Sequence, residues 1–381
     1  MDIGSLLKGL PKFSDLFSQK TQSVLGVDVG GSSIKIVQLR KEKERAILET
    51  YGELATGPYG GLEIGQTAGL VEEKVVEILR DLIKESGAKA TDCAIAIPTK
   101  SSFVTVMELP EMEESQVGQI IQLEARRYIP VPLTEVEIDW WVIPEEEVAT
   151  PEELMGITGK SIAEKKKKTK VLLIAIHKDT ITKYKNIISG SGLVATPGSF
   201  EIETFSVIRS SMSQDMSPTL IIDIGAPTTK MAVVDRGIMR LSYSVTRGSQ
   251  DITSALSKSL NISFSRAEEM KREIGLSDAP EHKEMLSVIS PIVEYIFSEA
   301  NSVIINYQAK NKRVVNRVIL TGGGSLMKGM IDFAVKRLNI EVSLSDPFSR
   351  VAYPAFLQGA LKEAGPSFAV AIGLALRKLQ V

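Results

Sequence analysis

Two stretches of this 381-residue sequence share a pattern of residue types that suits phosphate and metal binding. Residues 25–37 and residues 220–232 each hold an apolar run, an Asp-x-Gly turn, a short small or hydroxyl-bearing segment and a lysine seven residues after the aspartate. Asp28 matches Asp223 at an offset of 195 residues, and the lysines match at the same offset. This period is too long for a solenoid and predicts two similar lobes.

Each stretch predicts a strand, a tight turn and a second strand. Glycine lets the backbone approach a ligand, and successive amides after it form an anion-binding nest. Hydroxyls and a lysine add donors and positive charge, and an aspartate at a strand end can hold Mg²⁺, usually through water. Either stretch alone is more typical of an ordinary β-hairpin, whereas the pair predicts two hairpins that clamp a polyphosphate between lobes. The residues expected to hold phosphates are Gly30, Gly31, Ser32, Ser33, Lys35, Gly225, Thr228, Thr229 and Lys230, with Asp28 and Asp223 positioning Mg²⁺.

A third glycine-rich segment follows the second hairpin. Residues 318–329 predict a strand that runs into three glycines and then the start of a helix. A glycine-rich loop after a strand admits a flat ligand, or its sugar and phosphate, against bare backbone. The spacing matches neither the P-loop nor the dinucleotide-binding fingerprint. Alone the segment is weak evidence, but its order after the two hairpins makes it part of a set.

Composition excludes several other kinds of site. One cysteine, Cys93, and two histidines, His177 and His282, argue against a disulfide framework and against a metal site built on Cys or His. A formal net charge of −2 argues against broad nucleic-acid binding. The longest apolar run, residues 368–376, falls short of the about 20 residues of a membrane-spanning helix. The sequence predicts a reduced, cytosolic, multi-domain globular protein.

In this order, the two hairpins and the glycine loop resemble the actin-like ATPase superfamily, which includes actin, the heat-shock chaperone ATPases, sugar kinases and the cell-division protein FtsA. The resemblance covers about residues 24–381. It implies an α/β fold of two lobes, of the ribonuclease H type, with ATP and Mg²⁺ in the cleft. The residues implied at the adenosine are Glu268, Lys271, Gly322, Gly323, Gly324 and Ser325.

Smaller segments match the same superfamily by position. Residues 246–253 resemble its helix-opening Gly-Gly-x-Asp-(Ile/Leu)-Thr motif, with Ser249 in place of the second glycine. The resemblance places Glu203 near the attacking water, as the candidate catalytic residue, and Gly373 at a close crossing of two connecting helices between the lobes. Turnover in family members of this kind is weak or doubtful, so hydrolysis of ATP stays an open question.

The segment between the hairpins indicates the branch. Residues 93–198 predict a small α+β insert, which FtsA-like proteins carry in this place and actin does not. Residues 124–133, followed by residues 138–141, most closely resemble the PilM-like proteins of type IV pilus assembly, with Val131 replacing the usual aromatic residue. This resemblance implies a groove beside the insert for the N-terminal cytoplasmic peptide of the membrane protein PilN. Other pilus platform proteins and motor ATPases are further possible partners, at the inner face of the bacterial inner membrane.

The predicted organisation has four parts: an amphipathic tail (residues 1–23), a first lobe (24–92 and 199–212), the insert (93–198) and a second lobe (213–381). The tail suits either a membrane surface or packing on its own domain. Residues 144–170 carry blocks of like charge that are typical of a solvated loop. The sequence ends straight after the second connecting helix, where FtsA goes on to a membrane-binding helix, so we expect membrane association only through a partner.

Other functions stay open at this point. An FtsA-like, filament-forming cell-division or cytoskeletal ATPase would self-associate, and a component similar to GspL of type II secretion would share the fold. A sugar-kinase-type enzyme needs a base near the acceptor hydroxyl and a sugar-binding lobe. Glu203 is the one acidic candidate for that base, and no sugar-binding stretch stands out.

Overall fold

The computed structural model describes residues 22–112, 114–144, 168–213 and 215–380. The apolar stripe of the N-terminal tail and most of the charged loop fall outside these ranges. The described strands are β1 (Ser23–Val29), β2 (Ser33–Glu42), β3 (Arg45–Ala55), β4 (Asp92–Ile97), β5 (Ser102–Pro110), β6 (Val136–Ile143), β7 (Lys168–His177), β8 (Val194–Ile202), β9 (Thr219–Ile224), β10 (Thr229–Asp235), β11 (Ile238–Val245), β12 (Arg317–Thr321) and β13 (Glu341–Leu344). The described α-helices are α1 (Glu72–Ser86), α2 (Glu114–Ala125), α3 (Lys178–Gly190), α4 (Glu203–Ser211), α5 (Ser249–Leu260), α6 (Phe264–Ile274), α7 (Lys283–Asn311), α8 (Met330–Leu338), α9 (Gln358–Ala364) and α10 (Ala369–Leu379).

Two five-stranded sheets have the same topology. Their strand orders are β3-β2-β1-β4-β8 and β11-β10-β9-β12-β13. In each sheet the central strand, β1 or β9, pairs antiparallel with the strand that follows it and parallel with a strand from further along the chain. This shared topology confirms the duplication that the repeated sequence pattern predicts.

α1 and α3 cover one side of the first sheet with apolar faces. In α1, Val75, Ile78, Leu79 and Leu82 are buried at helical spacing, and Gly87 ends the helix in the left-handed conformation at φ 67°. That face packs into the core of the first lobe together with the inward residues of α3. The side of the first sheet that bears α1 and α3 is therefore closed to water.

The insert is smaller than predicted. It consists of a three-stranded antiparallel sheet of order β5-β7-β6 with α2 packed on one face. β4 and β8 belong to the first-lobe sheet, and α3 packs in the first-lobe core. The insert therefore runs over residues 98–177 rather than 93–198, because the period of a strand or helix does not show which sheet it joins.

The C-terminal segment belongs with the first lobe rather than the second. Phe348, Phe368, Ile372 and Leu376 form a core with residues of β1, β2 and β3. The predicted second lobe of residues 213–381 is therefore wrong at its C-terminal end. The sequence gives no sign that this C-terminal segment packs against the first sheet, because the two are more than 290 positions apart.

α4 and α10 cross between the two lobes with almost no separation. A Cβ atom at Gly373 would lie 1.9 Å from the carbonyl oxygen of Ser206 in α4. Arg209 of α4 donates to the carbonyl oxygen of Gly373 and to the carboxylate of Glu201. Residues of both lobes pack around the pair of helices. The close crossing predicted at Gly373 is therefore confirmed.

Within the described ranges, one helical segment, Pro280–Asn311, is long and apolar enough to cross a membrane by length and composition alone. Its inward stripe includes Ile289, Val293, Phe297 and Ala300, all buried in the core of the second lobe. The apolar character of α7 is thus explained by its packing inside that lobe.

Candidate functional site: a cleft between two matched hairpins

The two predicted hairpins adopt the same register. Asp28 lies opposite Lys35 across the first turn, and Asp223 lies opposite Lys230 across the second. In an antiparallel pair, side chains directly opposite each other lie on the same face of the sheet. Each hairpin therefore presents one carboxylate and one ammonium group side by side at the end of its central strand.

Both turns require glycine for the same steric reason. A Cβ atom at Gly30 would lie 2.8 Å from the carbonyl oxygen of Ser33, and one at Gly225 would lie 2.9 Å from that of Thr228. The turns differ in their free donors. The Gly225 amide donates to the Thr228 carbonyl at 3.0 Å, whereas the amides of residues 30–32 donate to no residue that the structure describes. The first turn therefore keeps three backbone donors for a ligand.

Both turns open into one cavity of about 1400 Å³ between the lobes. This volume exceeds the roughly 300–1000 Å³ of a typical small-molecule site. The residues that line the cavity run from Asp28 to Val370 in the sequence. The predicted site residues that line it are Asp28, Gly30, Gly31, Ser32, Ser33, Lys35, Glu203, Asp223, Gly225, Thr228, Lys230, Glu268, Lys271, Gly322, Gly323 and Gly324.

Two predicted binding residues face away from the cavity. Thr229 is fully buried, and its hydroxyl donates to the Arg247 carbonyl oxygen at 2.8 Å. Ser325 is also buried, and its hydroxyl donates to the Gly322 carbonyl oxygen at 2.7 Å. Alternation along the strand turns Thr229 away from the face that carries Lys230. Both hydroxyls therefore bond to backbone carbonyl oxygens of the site rather than face the cavity.

The two aspartates have different surroundings. Asp223 has Oδ2 at 3.3 Å from Nζ of Lys230. Asp28 is 9% exposed and has no hydrogen bond or ion pair with a residue in the described part of the chain. Burial raises the pKa of Asp28 to about 6, although nearby Lys35 acts in the opposite direction. A buried carboxylate without a partner is costly and favours a bound cation.

The carboxylates of the cavity fit a magnesium ion that is bound together with a phosphate-bearing ligand. Within the described residues, no group of three or more His, Cys, Asp or Glu side chains is arranged to hold a metal. Asp28 and Asp223 both line the cavity and would contribute carboxylate oxygens, most readily through water. The phosphate oxygens of the ligand would supply the remaining positions. Mg²⁺ would neutralise charge on those phosphates.

Glu203 lies between the two lobes with both carboxylate oxygens engaged. Oε1 accepts the Thr99 amide at 2.7 Å, and Oε2 accepts Nζ of Lys230 at 2.8 Å. Burial opposes the charge on Lys230, but Asp223 and Glu203 outweigh it and keep the pKa of Lys230 above its ordinary value. Glu203 is thus held in a fixed orientation at the wall of the cavity.

Lys35 has a partner that sequence reasoning missed. Its Nζ lies 2.6 Å from Oγ of Ser33 and 3.1 Å from Oε1 of Glu53. Burial acts to raise the pKa of Glu53, but Lys35 and Ser33 hold that pKa below its ordinary value. Glu53 lies opposite Lys35 in the β2–β3 register, so recognising residues 45–55 as a strand paired with β2 would have found it.

A second polar cluster lies on α6, on the side of the cavity expected to hold adenosine. Nζ of Lys271 donates to Oε2 of Glu268 at 2.6 Å and to the hydroxyl of Thr253 at 3.0 Å. Arg272, which was not predicted, donates to Oε1 of Glu268 at 2.8 Å. Burial acts against the charge on Glu268, yet Lys271 and these hydrogen bonds keep the pKa of Glu268 below its ordinary value.

The glycine loop lies directly against the second hairpin. Gly322 has φ 81°, and a Cβ atom there would lie 2.3 Å from Oδ1 of Asp223. A Cβ atom at Gly324 would lie 2.5 Å from Cγ2 of Ile224. Side chains at these positions would displace the second hairpin from the cavity. The loop therefore leaves bare backbone along this wall, as the sequence predicts.

A segment of the first lobe, residues 57–71, crosses the mouth of the cavity to the second lobe. The carboxylate of Glu63 accepts the amides of Phe264 and Ser265 at the start of α6, at 3.3 Å and 2.9 Å. The Thr67 amide donates to Oε1 of Gln250 at 2.8 Å. This bridge depends on loop geometry, and the sequence pattern gave no sign of it.

Two five-stranded sheets of matched topology, joined by crossing helices and facing each other across a phosphate-type cleft, define the two-lobed actin-like fold. A family model then identifies one family within this class. The chain belongs to the family of the type IV pilus assembly protein PilM, whose family model matches residues 26–379. The predicted fold class and the predicted family are therefore both confirmed.

Known relatives and structures are consistent with this assignment. The cell-division protein FtsA of Staphylococcus epidermidis is 22% identical over 361 residues, which cover 85% of this chain and 74% of FtsA. The solved PilM–PilN type IV pilus biogenesis complex matches with a TM-score of 0.74 at 23% identity, covering 93% of this chain and 98% of that one. The ethanolamine utilization protein EutJ of Carboxydothermus hydrogenoformans matches with a TM-score of 0.53 at 16% identity, covering 93% and 89% of the two chains. At these identities the structural matches show the fold.

Proposed function

We propose that this chain is a cytoplasmic, ATP-binding adaptor of type IV pilus assembly, located at the inner face of the bacterial inner membrane. Membership of the PilM family supports the role in pilus assembly. The observation that carries the nucleotide part is the pair of hairpins with identical register, opening into one cavity. A ligand that spans both hairpins needs several negatively charged groups in a row, as a polyphosphate has.

In this proposal each wall of the cavity holds one part of ATP. The free amides of residues 30–32, with Lys35 and Lys230, hold the phosphates. Asp28 and Asp223 hold Mg²⁺ through water. The adenosine lies along the bare backbone of the glycine loop and beside the polar cluster on α6. Bound ATP would then contact both lobes and hold them together.

Binding of a fluorescent ATP analogue in the presence of Mg²⁺ tests the nucleotide site. A charge-assisted hydrogen bond contributes roughly 1.5–3 kcal/mol, so Lys35→Ala is expected to weaken binding about 10- to 150-fold. Asp223→Ala should weaken the Mg²⁺-dependent part of binding. Lys84→Ala, at an exposed position of α1, is the matched control and should bind as wild type does. Unchanged affinity in both cleft variants would overturn the assignment.

We propose that turnover of ATP is weak or absent. Both oxygens of Glu203 are already engaged by Thr99 and Lys230, which leaves this carboxylate poorly placed to accept a further proton from water. Release of inorganic phosphate at saturating ATP measures turnover directly. Rapid release, lost in Glu203→Gln, would instead favour an enzyme with Glu203 as its base.

The partner we propose is the short cytoplasmic N-terminal segment of a PilN-like membrane protein. A PilM–PilN complex is among the solved structures that share this fold, at a TM-score of 0.74. Short peptides commonly bind by adding an extended strand to a sheet edge, with a few apolar anchors. The insert sheet ends in β6, an edge strand on which Trp141 is 70% exposed.

Fluorescence anisotropy with a labelled peptide of the PilN N-terminus tests this partner. We expect saturable binding with ATP and Mg²⁺ present, and no binding of a peptide with the same residues in scrambled order. If β6 is the edge used, Trp141→Ala weakens binding, whereas Phe356→Ala, at an exposed aromatic residue of the first lobe, does not. Failure of the native peptide to bind in ATP would count against the adaptor proposal.

A further inference from the structure

Three segments meet at the end of the second lobe opposite the cavity. They are residues 215–218 before β9, residues 235–238 at the β10–β11 turn, and residues 310–317 at the end of α7 and the start of β12. Thr219 pairs with Arg317 in the parallel β9–β12 register, so both strands begin at this end, whereas Asp223 near the far end of β9 lines the cavity. The Arg236 amide donates to the Met216 carbonyl oxygen at 3.2 Å, which joins two of the segments. We call this surface the basal face.

Two large apolar side chains of the basal face lie in water. Met216 is 59% exposed and Val314 is 69% exposed. The residue after Val314, Val315, is buried in the second-lobe core, and its amide donates to Oε1 of Gln308 at 3.0 Å. The burial of Val315 therefore holds Val314 outward. Exposed apolar side chains that a fold fixes in this way, with polar residues around them, are typical of an interaction surface.

The basal face carries more basic than acidic side chains. Its basic residues are Arg236, Lys310, Lys312, Arg313 and Arg317. Its acidic residues each pair with one arginine: Asp215 lies 3.0 Å from Arg317. The second, Asp235, is buried and lies 2.8 Å from Arg313. One further carboxylate, that of Glu341, is beside Arg317 in the β12–β13 register.

The two lysines at the end of α7 extend the positive charge toward the insert. Lys310 and Lys312 are both exposed, and neither forms an ion pair with a carboxylate in the described ranges. On β7, Nζ of Lys168 lies 2.8 Å from the carboxylate of Glu108. That hydrogen bond, together with the charges of Lys170 and Lys310, holds the pKa of Glu108 below its ordinary value. Lysines of the second lobe and of the insert therefore lie around one carboxylate, and the basic surface is continuous between them.

We propose that the basal face binds directly to the surface of an anionic lipid bilayer. Met216 and Val314 enter the interfacial region of the bilayer, and Lys310 and Lys312 contact the lipid phosphates. An anionic membrane surface attracts nearby lysines, and it also gives apolar side chains a place away from water. A purely acidic polypeptide would match the charge but would leave both apolar side chains in water. The combination of features therefore favours a bilayer.

This contact is additional to the membrane association that we expect through a partner. It needs no bound nucleotide. It also leaves the cavity accessible, because β9 and β12 run from the basal face to the cavity. The proposal thus goes beyond the adaptor function and can fail or succeed independently of it.

Flotation of the full-length protein with vesicles, without nucleotide, tests the proposal. One set of vesicles contains phosphatidylglycerol and phosphatidylcholine in equal amounts, and the other contains phosphatidylcholine alone. We expect binding to the anionic vesicles only, and loss of that binding at ~1 M salt, where the Debye length falls to ~3 Å.

Two variants separate the contributions of charge and apolar contact. Lys310→Gln combined with Lys312→Gln should weaken binding about 30-fold, because each lysine near an anionic surface contributes a factor of about five. Val314→Ser should weaken it about five- to tenfold by removing an apolar side chain from the bilayer. Lys178→Gln combined with Lys185→Gln, at exposed positions of α3, removes the same charge and is the matched control, which should bind as wild type does.

Several results would overturn the proposal. They include equal binding to both kinds of vesicle, no binding to either, and equal loss of binding in the α7 and α3 lysine variants. If polyglutamate binds as tightly as the anionic vesicles and Val314→Ser changes neither, the basal face binds an acidic polypeptide instead. If the basal-face variants change only the sedimentation of the protein alone, the face joins two copies of this chain. Vesicle binding is measured without ATP, so neither proposal depends on the outcome of the other.

Discussion

Replacing Asp28 with asparagine is expected to stabilise the nucleotide-free protein at neutral pH. The Asp28 carboxylate is buried and has no hydrogen bond or ion pair with a described residue, and burial raises its pKa from 3.8 to about 6. One pKa unit corresponds to 1.36 kcal/mol, so keeping this group ionised in the folded protein costs about 3 kcal/mol. Asparagine has nearly the same shape and no charge.

The sign of the pH dependence follows from the direction of the shift. Because the folded protein binds this proton more tightly than the unfolded chain does, protonated Asp28 favours folding. The contribution is fully present below pH 3.8 and is lost as the pH rises through about 6. Wild type and Asp28→Asn should therefore be nearly equal in stability near pH 4. Above pH 7 the variant should gain up to about 3 kcal/mol.

Urea unfolding at pH 4.5 and pH 8, without nucleotide, measures this difference. The matched control is Asp223→Asn, the equivalent position of the second hairpin, where the carboxylate has Lys230 at 3.3 Å. Because Asp223→Asn removes this ion pair with Lys230, it should lower the free energy of unfolding at pH 8 rather than raise it. If Asp28→Asn is no more stable than wild type at pH 8, or keeps its full gain at pH 4.5, burial does not dominate the energetics of Asp28.

Further substitutions test the helix crossing and the bridge across the cavity. Gly373→Ala should lower the free energy of unfolding by about 2 kcal/mol or more, because its Cβ atom would lie 1.9 Å from the Ser206 carbonyl oxygen. A Cβ atom at Gly359, within α9, would have nothing within 4 Å, so Gly359→Ala is the control and should leave the urea midpoint unchanged or raise it slightly. Glu63→Gln weakens the contact with the amide of Ser265 and should speed nucleotide release roughly two- to fivefold in stopped-flow experiments. An unchanged release rate would show that residues 57–71 do not retain the ligand.

The local features of the site were predictable because they depend on short-range geometry. The Asp-x-Gly turns and the glycine loop each need small residues where backbone approaches backbone. Glycines at fixed positions after a strand therefore identify them in the sequence. The hydroxyls of Thr229 and Ser325, two residues expected to contact the ligand, instead donate to backbone carbonyl oxygens. For Thr229 the sequence was sufficient, because neighbouring side chains of a strand lie on opposite faces and Thr229 precedes Lys230.

Features that depend on long-range packing were not predictable in the same way. β4 joins the first-lobe sheet by pairing with β1, and β8 joins it by pairing with β4, and neither strand has a local sequence feature that predicts this pairing. The boundaries of the insert therefore could be found only from the structure.

The two hairpins repeat in shape but differ in charge balance. Lys230 contacts both Asp223 and Glu203, so the carboxylate of the second hairpin has a direct cationic partner within the protein. Lys35 instead pairs with Glu53, which leaves Asp28 without a direct partner. A magnesium ion would consequently gain more from Asp28, whose ionisation is the costly one, than from Asp223. Because Mg²⁺ requires that carboxylate ionised, Mg²⁺-dependent nucleotide affinity should rise as the pH passes about 6, and Asp28→Asn should abolish that rise while Asp223→Asn keeps it.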